Sequence, residues 1–277
     1  MIRRKRVLIA GGGGSIGSEL VRQLSKSNKV FIIDIDETNA FDLAEALELE
    51  GRWVHSRIGD ICEKETVEDV FSDFRPHVVI NAAARKHVKP NEDYPIEAVR
   101  TNILGLHNLL QATRRWPVQR FVQISTDKAV NARSIMGATK LLGEVMVRNR
   151  GGIVVRFGNV MGSRGSVIPF WQGQLDRGEA VTVTDERMER YFMSIEEACR
   201  LVIEAAEVGR RGETLILEMG RHVNVLELAK EIVARTGRGD IRMIGMRPGE
   251  TLSEKLMSVE EEARAIKRGR FHVIPAL

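Results

Sequence analysis

Tyrosine is nearly absent. Among 277 residues there are two, Tyr94 and Tyr191, and all aromatics together make 5%. One common class of dehydrogenase needs a tyrosine four residues before a lysine. At that offset Tyr94 is followed by Ala98 and Tyr191 by Ile195, so neither supplies the pair. Cysteine is equally scarce. Cys62 and Cys199 are too few for a metal cluster and too isolated for a disulfide scaffold, so a reducing cytoplasm is expected. The six histidines never fall at ligand spacing, which argues against a zinc site. No apolar run reaches the roughly 18 to 20 residues of a membrane helix. The opening MIRRKRVLIA carries a four-residue apolar stretch that runs into four glycines, so it reads as a strand rather than a signal peptide.

Charge is also unconcentrated along the chain. The net charge is +4. Up to Lys140 there are 21 basic against 18 acidic residues, and after it 21 against 20, so neither half is strongly basic. The runs Arg3–Arg6 and Lys267–Arg270 read as solvated surface rather than a nucleic-acid patch, and mild basicity suits an anionic small ligand.

What is present is an alternation. Short branched runs at 7–10, 30–34, 53–58, 77–81, 120–125 and 152–157 read as buried strands. Helices are expected at 15–25, 38–49, from Glu63, at 92–115 and at 134–149. Ile96, Val99, Ile103, Leu106 and Leu110 recur at steps of three and four and build one apolar stripe. Repeated βα units with unalternated apolar strands imply α/β architecture: a doubly wound, mostly parallel Rossmann sheet. After Asn159 the rhythm breaks and Gly, Pro and Ser cluster. The expected division is a dinucleotide-binding domain over 1–159 and a smaller substrate lobe over 160–277, with some strands returned to the main sheet.

The first strand runs directly into Gly11-Gly12-Gly13-Gly14-Ser15-Ile16-Gly17 and a helix. Two glycine registers fit, 12-14-17 and 11-14-17. In both, glycine permits a tight turn and close approach of backbone to a pyrophosphate, which the helix N-terminus attracts. The second strand ends in Asp34, 17 residues after Gly17. A carboxylate there accepts from the adenosine ribose hydroxyls and repels a 2′-phosphate, favouring NAD over NADP. Asp36 competes for that role or caps the next helix. Asp60 and Ile61 follow the third strand where adenine would lie. Ala82 and Ala83, past the fourth strand, are small enough for a cofactor to lie close.

Taken together, these residues resemble the extended short-chain dehydrogenase/reductase superfamily. Ser125-Thr126-Asp127-Lys128, Met136-Gly137-Ala138-Thr139-Lys140, the stretch 155–170, Arg190-Tyr191-Phe192-Met193 and Arg247-Pro248-Gly249-Glu250 follow in order. They are similar to the UDP-N-acetylglucosamine 4,6-dehydratase group of bacterial polysaccharide biosynthesis.

The resemblance implies a role for each. Lys140 would hold the nicotinamide ribose, with Met136 standing where the superfamily's tyrosine would be. The group includes members with methionine there. A thioether relays no proton, so a tyrosine-dependent alcohol dehydrogenase or 4-epimerase is disfavoured. The implied cycle is oxidation at C4, elimination of water across C5–C6 and hydride return to C6, with or without inversion at C5. Lys128 would abstract the C5 proton, Asp127 protonate the departing hydroxyl and Thr126 bond the C4 oxygen. The base for the C4 hydroxyl stays open, with Lys128 the first choice. For a UDP-sugar, Arg190 and Arg247 would take the diphosphate, and Asn159 the diphosphate or sugar. Thr182 would read uracil through its backbone, Glu250 the uridine ribose, and Lys86 would lie near the sugar. Other readings are a UDP-sugar 4-epimerase and a non-catalytic dinucleotide-sensing protein. A homo-oligomer paired through helices 92–115 and 134–149 is expected.

Overall fold

The apolar runs become the parallel strands of one sheet. A computed structural model describes residues 1–276. The alternating half comprises β1 (Arg6–Ala10), α1 (Ser15–Leu24), β2 (Lys29–Asp34), α2 (Glu37–Leu49), β3 (Val54–Ile58), α3 (Lys64–Phe74), β4 (Val78–Asn81), α4 (Val88–Asp93), α5 (Pro95–Val99), α6 (Leu106–Arg115), β5 (Arg120–Thr126), α7 (Ile135–Asn149) and β6 (Ile153–Phe157). Then come β7 (Asn159–Val160), α8 (Val167–Asp176), β8 (Val181–Val183), β9 (Glu189–Met193), α9 (Ile195–Val208), β10 (Thr214–Leu217), β11 (His222–Asn224), α10 (Val225–Thr236), β12 (Ile241–Met243), α11 (Val259–Glu262), β13 (Ile266–Arg268) and β14 (Phe271–Ile274).

The main sheet has the order β13-β14-β10-β6-β5-β4-β1-β2-β3. From β3 to β10 every pairing is parallel, while β14 and β13 run antiparallel. Strand order reverses at β1, which opens a crevice at the carboxyl ends of β1 and β4, the place where doubly wound sheets bind ligands. Alternate residues feed two cores. Val7 and Ile9 face α1 and α9 through Leu20, Val21, Leu201 and Val202. Leu8 and Ala10 face α3, α6 and α7 through Phe71, Leu106, Leu109 and Val147. Each such large side chain, fully buried, contributes roughly 1.5–3 kcal/mol.

β10, β14 and β13 lie beyond residue 160 yet complete the main sheet. The remaining C-terminal strands form β11-β9-β7 and β12-β8; β8, α8 and α10 enclose a third core of Trp171, Leu175, Val181, Val183 and Ala229, while Val160 of β7 and Met193 of β9 join the first core.

The helix expected over 92–115 departs from its straight form. Tyr94 precedes Pro95, and the ring disfavours helical backbone at the residue before it, so α5 starts afresh at Pro95. Arg100–Gly105 then forms a π-helical turn. Its wider winding takes the apolar stripe off register: Leu106 and Leu110 are buried, while Ile96 and Val99 are exposed.

Candidate active site

The glycine turn is dictated by contact. Gly11 has φ +77°, and a Cβ there would lie 2.5 Å from the Ala83 nitrogen. A Cβ at Gly17 would overlap the Gly11 carbonyl oxygen. The 11-14-17 register is therefore the one the backbone requires, and Gly12 presses only on the Ile32 side chain. Gly14 caps α1 without a side-chain acceptor. The amino end of the helix, at Ser15, Ile16 and Gly17, thus keeps backbone N–H groups that no capping side chain takes up.

Asp34 lies beside this turn, fixed by two backbone donors: Gly13 N–H to Oδ2 at 2.7 Å and Asp36 N–H to Oδ1 at 2.9 Å. Asp36 caps α2 by accepting from the Asn39 N–H, and that bond lowers its pKa. Asp60 accepts from Cys62 N–H at 2.8 Å, and Asn108 donates to the Ile61 and Cys62 carbonyls, which sets the loop after β3. Ala82 N–H bonds Ala10 O at 2.8 Å, closing β4 onto β1. This cradle, floored by residues with little or no side chain, fits a dinucleotide.

Past β5 the chain makes a 3₁₀ turn, Asp127–Ala129. Lys128 Nζ donates to Asp127 Oδ1 at 2.9 Å and to Asn159 Oδ1 at 3.1 Å, and lies 3.9 Å from Glu254. Thr126 Oγ1 donates to Asp127 Oδ1 at 2.9 Å. Asp127 is fully buried, and its Oδ2 has no hydrogen-bond partner. That oxygen borders Gly158, which also touches Tyr191. Burial and the Asp127 charge raise the Tyr191 phenol, whose ring lies 3.8 Å from that of His222.

Lys140 is buried on α7 and donates to Ile124 O at 2.9 Å. Burial lowers its pKa to about 8, and Glu144 one turn on partly opposes the drop. Met136, one turn earlier, is buried at the tyrosine position. Glu144 pairs with Arg156, both fully buried, and Arg156 also holds Glu261 and the Leu256 carbonyl. Burial alone would lower the Arg156 pKa, but the two carboxylates carry it above the ordinary arginine value.

The remaining positions divide. Arg190 is buried, and its guanidinium donates to the carbonyls of Glu189, Thr251 and Leu252. It is a tie for the segment after Gly249 rather than a free phosphate ligand. Thr182 donates its N–H to Gln174 Oε1 and accepts at its carbonyl from Trp171 Nε1, so its backbone is already engaged within the lobe. Arg247 and Glu250 close their own turn, Arg247 N–H to Glu250 Oε2 at 3.0 Å. A side chain at Gly249 would meet Val88 and Ser134, so this turn lies against α4 and the start of α7. Lys86 Nζ bonds Arg164 O at 2.8 Å.

Sequence reasoning missed Glu254, Tyr191 and Arg164. Arg164 donates its N–H to Ser15 Oγ and its guanidinium to Gly13 O, and lies 3.7 Å from Asp36. The glycine–serine setting of residues 162–166 is the only local signal of such a bridge over the cofactor turn.

Residues 7–276 match the family model described as polysaccharide biosynthesis protein. The chain is 40% identical over 276 residues to the capsular polysaccharide biosynthesis protein CapD of Staphylococcus aureus, covering 94% of this chain but 46% of CapD, so it spans about half that relative's length. It is 36% identical over 287 residues to the UDP-glucose 4-epimerase of Rickettsia typhi, covering 98% of this chain and 83% of that protein. The X-ray structure of Pen from Bacillus thuringiensis superposes with a TM-score of 0.93 at 34% identity, covering 99% and 89% of the two chains.

Proposed function

For a chain that belongs to the polysaccharide biosynthesis protein family, within the extended short-chain dehydrogenase/reductases, we propose nucleotide-sugar 4,6-dehydration on UDP-N-acetylglucosamine or a similar UDP-sugar. The observation that carries this reading is the pair of buried Asp127 and half-buried Lys128 at the carboxyl edge of β5, beside a helix bearing Met136 and Lys140.

Gly11, Gly14, Gly17 and the amino end of α1 would hold the dinucleotide pyrophosphate, Asp34 the adenosine ribose and Lys140 the nicotinamide ribose. We assign NAD, because no cation replaces Asp34 at the end of β2. When bound, the dinucleotide supplies a hydride acceptor at C4 and a donor at C6, so the reaction is redox-neutral.

Lys128 and Asp127 then handle protons on adjacent carbons. Lys128 removes the C5 proton, acidified by the C4 ketone, and the Asp127 carboxyl delivers one to the leaving C6 hydroxyl. Their 2.9 Å contact lets a proton pass between them. Asn159 and Glu254 orient the lysine. Asp127 Oδ2 is buried and unpartnered, so a carboxyl proton there would be free of competing protein acceptors. Thr126 bonds the C4 oxygen. Arg247 and Glu250, in the turn packed on α4 and the start of α7, would meet the nucleotide-sugar, and Arg190 would steady them through the Thr251 and Leu252 carbonyls.

A 4-epimerase reading draws on the similarity to the Rickettsia protein, and Met136 weighs against it. The two separate in one incubation with UDP-N-acetylglucosamine. Dehydration gives a product lighter by one water and carrying a 4-keto group; epimerisation conserves mass and gives the galacto isomer. The isomer alone, from protein with dinucleotide bound, overturns the dehydratase assignment.

A further inference from the structure

The amino ends of β1, β2, β3 and β4 share the edge of the sheet opposite the active site, because those strands run parallel. A cleft of about 780 Å³ opens there, lined by Arg4, Lys5, Arg6, Lys26, Lys29 and Arg52, with Glu50 its one carboxylate. The whole chain nets +4, so the net charge of this cleft exceeds that of the entire molecule. The residues come from three separate stretches of sequence, which is why no single run announces the patch.

Two of these cations are committed. Arg6 donates to Arg75 O at 2.8 Å, and Arg52 bonds Arg22 O and pairs with Glu50 at 2.6 Å. Lys29 lies over the Trp53 ring, 5.1 Å from its centroid. The side chains of Arg4, Lys5 and Lys26 have no hydrogen-bonding or ionic partner among the described residues. Leu49, at the end of α2 next to Glu50, is 88% exposed.

Long flexible cations around a rim suit several anions spread laterally better than one enclosed anion. The aromatic in the lining offers no platform for a nucleobase: Trp53 stacks on Phe74 at 5.6 Å and carries Lys29 over its ring. Free basic side chains in the cleft, with an exposed leucine next in sequence to its Glu50 rim, are the pairing that an interfacial lipid contact uses.

We infer that this edge docks the protein on an anionic lipid bilayer, with lipid phosphates in the cleft and Leu49 entering the headgroup layer. The contact is peripheral, since no helix among the described residues is long and apolar enough to cross a membrane. Docked so, the catalytic edge faces away from the bilayer, open to a water-soluble nucleotide-sugar. The inference is independent of the reaction proposed above.

Vesicle flotation tests it, using the full chain with equimolar phosphatidylglycerol and phosphatidylcholine vesicles, and with phosphatidylcholine alone. Binding is expected only to the anionic vesicles and is lost at high salt. Replacing Arg4, Lys5 and Lys26 together by Gln is expected to weaken it tenfold or more, since each basic residue near an anionic surface adds roughly a fivefold gain. Leu49→Ser weakens it without changing its salt dependence. Dinucleotide binding by both variants confirms that they fold. Undiminished vesicle binding by the triple variant, or none by the parent protein, overturns the inference. So does displacement by inorganic phosphate at matched charge, or a single-stranded oligonucleotide that binds more tightly than the vesicles.

Discussion

Lys128 Nζ touches one oxygen of Asp127 at 2.9 Å, and the other oxygen of the same buried carboxylate touches no polar group. The carboxylate is thus held on one side, while its other oxygen is buried against Gly158 without a hydrogen-bond partner.

Lys128→Met should lower water elimination by roughly 10² to 10⁴-fold, the usual worth of a general base. Asp127→Asn should do likewise, because an amide cannot release the proton. Dinucleotide affinity should be unchanged in both. Exchange of the C5 hydrogen in deuterated water should stop for Lys128→Met. Continued exchange at the parent rate would remove Lys128 from its role.

Gly17→Ala forces a methyl onto the Gly11 carbonyl oxygen. The helix must shift from the turn, at a cost of about 3 kcal/mol in stability. Dinucleotide binding measured by calorimetry should disappear, whereas Gly51→Ala, strained by its φ of +76° but remote from the glycine turn, should keep it.

Lys140 gives a pH signature. Folded, it releases its proton near 8 rather than at 10.5. Between those values the unfolded chain holds more protons, so stability should rise with pH from about 8 to 10.5, by about 3 kcal/mol. Urea unfolding at a series of pH values measures it, and the rise should vanish in Lys140→Met.

Arg156→Met strands the Glu144 carboxylate in the core and should cost about 3–5 kcal/mol. The double variant Arg156→Met with Glu144→Leu should recover much of that loss in denaturant unfolding. Equal loss in both would mean that packing, not charge, dominates there.

Ile96 and Val99 on α5 and Leu142 on α7 are exposed apolar side chains on neighbouring helices. We propose that they pair two copies of the chain. Leu142→Glu should convert a dimer to a monomer in sedimentation, and a parent protein already monomeric would refute the pairing.

The parallel half of the fold was legible because each strand announces itself locally. Its apolar run, its length and the glycine turn after β1 are all contiguous. The break in the 92–115 helix was less visible: Pro95 could have signalled its start, but a π turn keeps the same composition as an α turn. The π turn has a use, for it carries Asn102, which bonds both the N–H and carbonyl of Arg85 and also Thr139. The grouping of Asp127, Lys128 and Lys140 could be read from sequence, since all three lie on one strand–turn–helix stretch. Glu254 could not, because its approach to Lys128 depends on a fold-back of 126 residues. Arg190 and Thr182 were misjudged for a related reason. Residue type told that they would bond strongly, but not that backbone carbonyls and the lobe's own side chains would be their partners.

The two buried arginines have a consequence for how such a protein can diversify. Arg190 grips Thr251 and Leu252, and Arg156 grips Leu256 and Glu261. Both ends of this stretch are thereby moored to the scaffold, while the Arg247–Glu250 turn precedes the first mooring and lies against α4 and the start of α7. If that turn meets the nucleotide-sugar as proposed, changes in it would alter the ligand admitted while the two moorings hold the stretch behind it, and grafting the turn from a relative is the natural route to retargeting it.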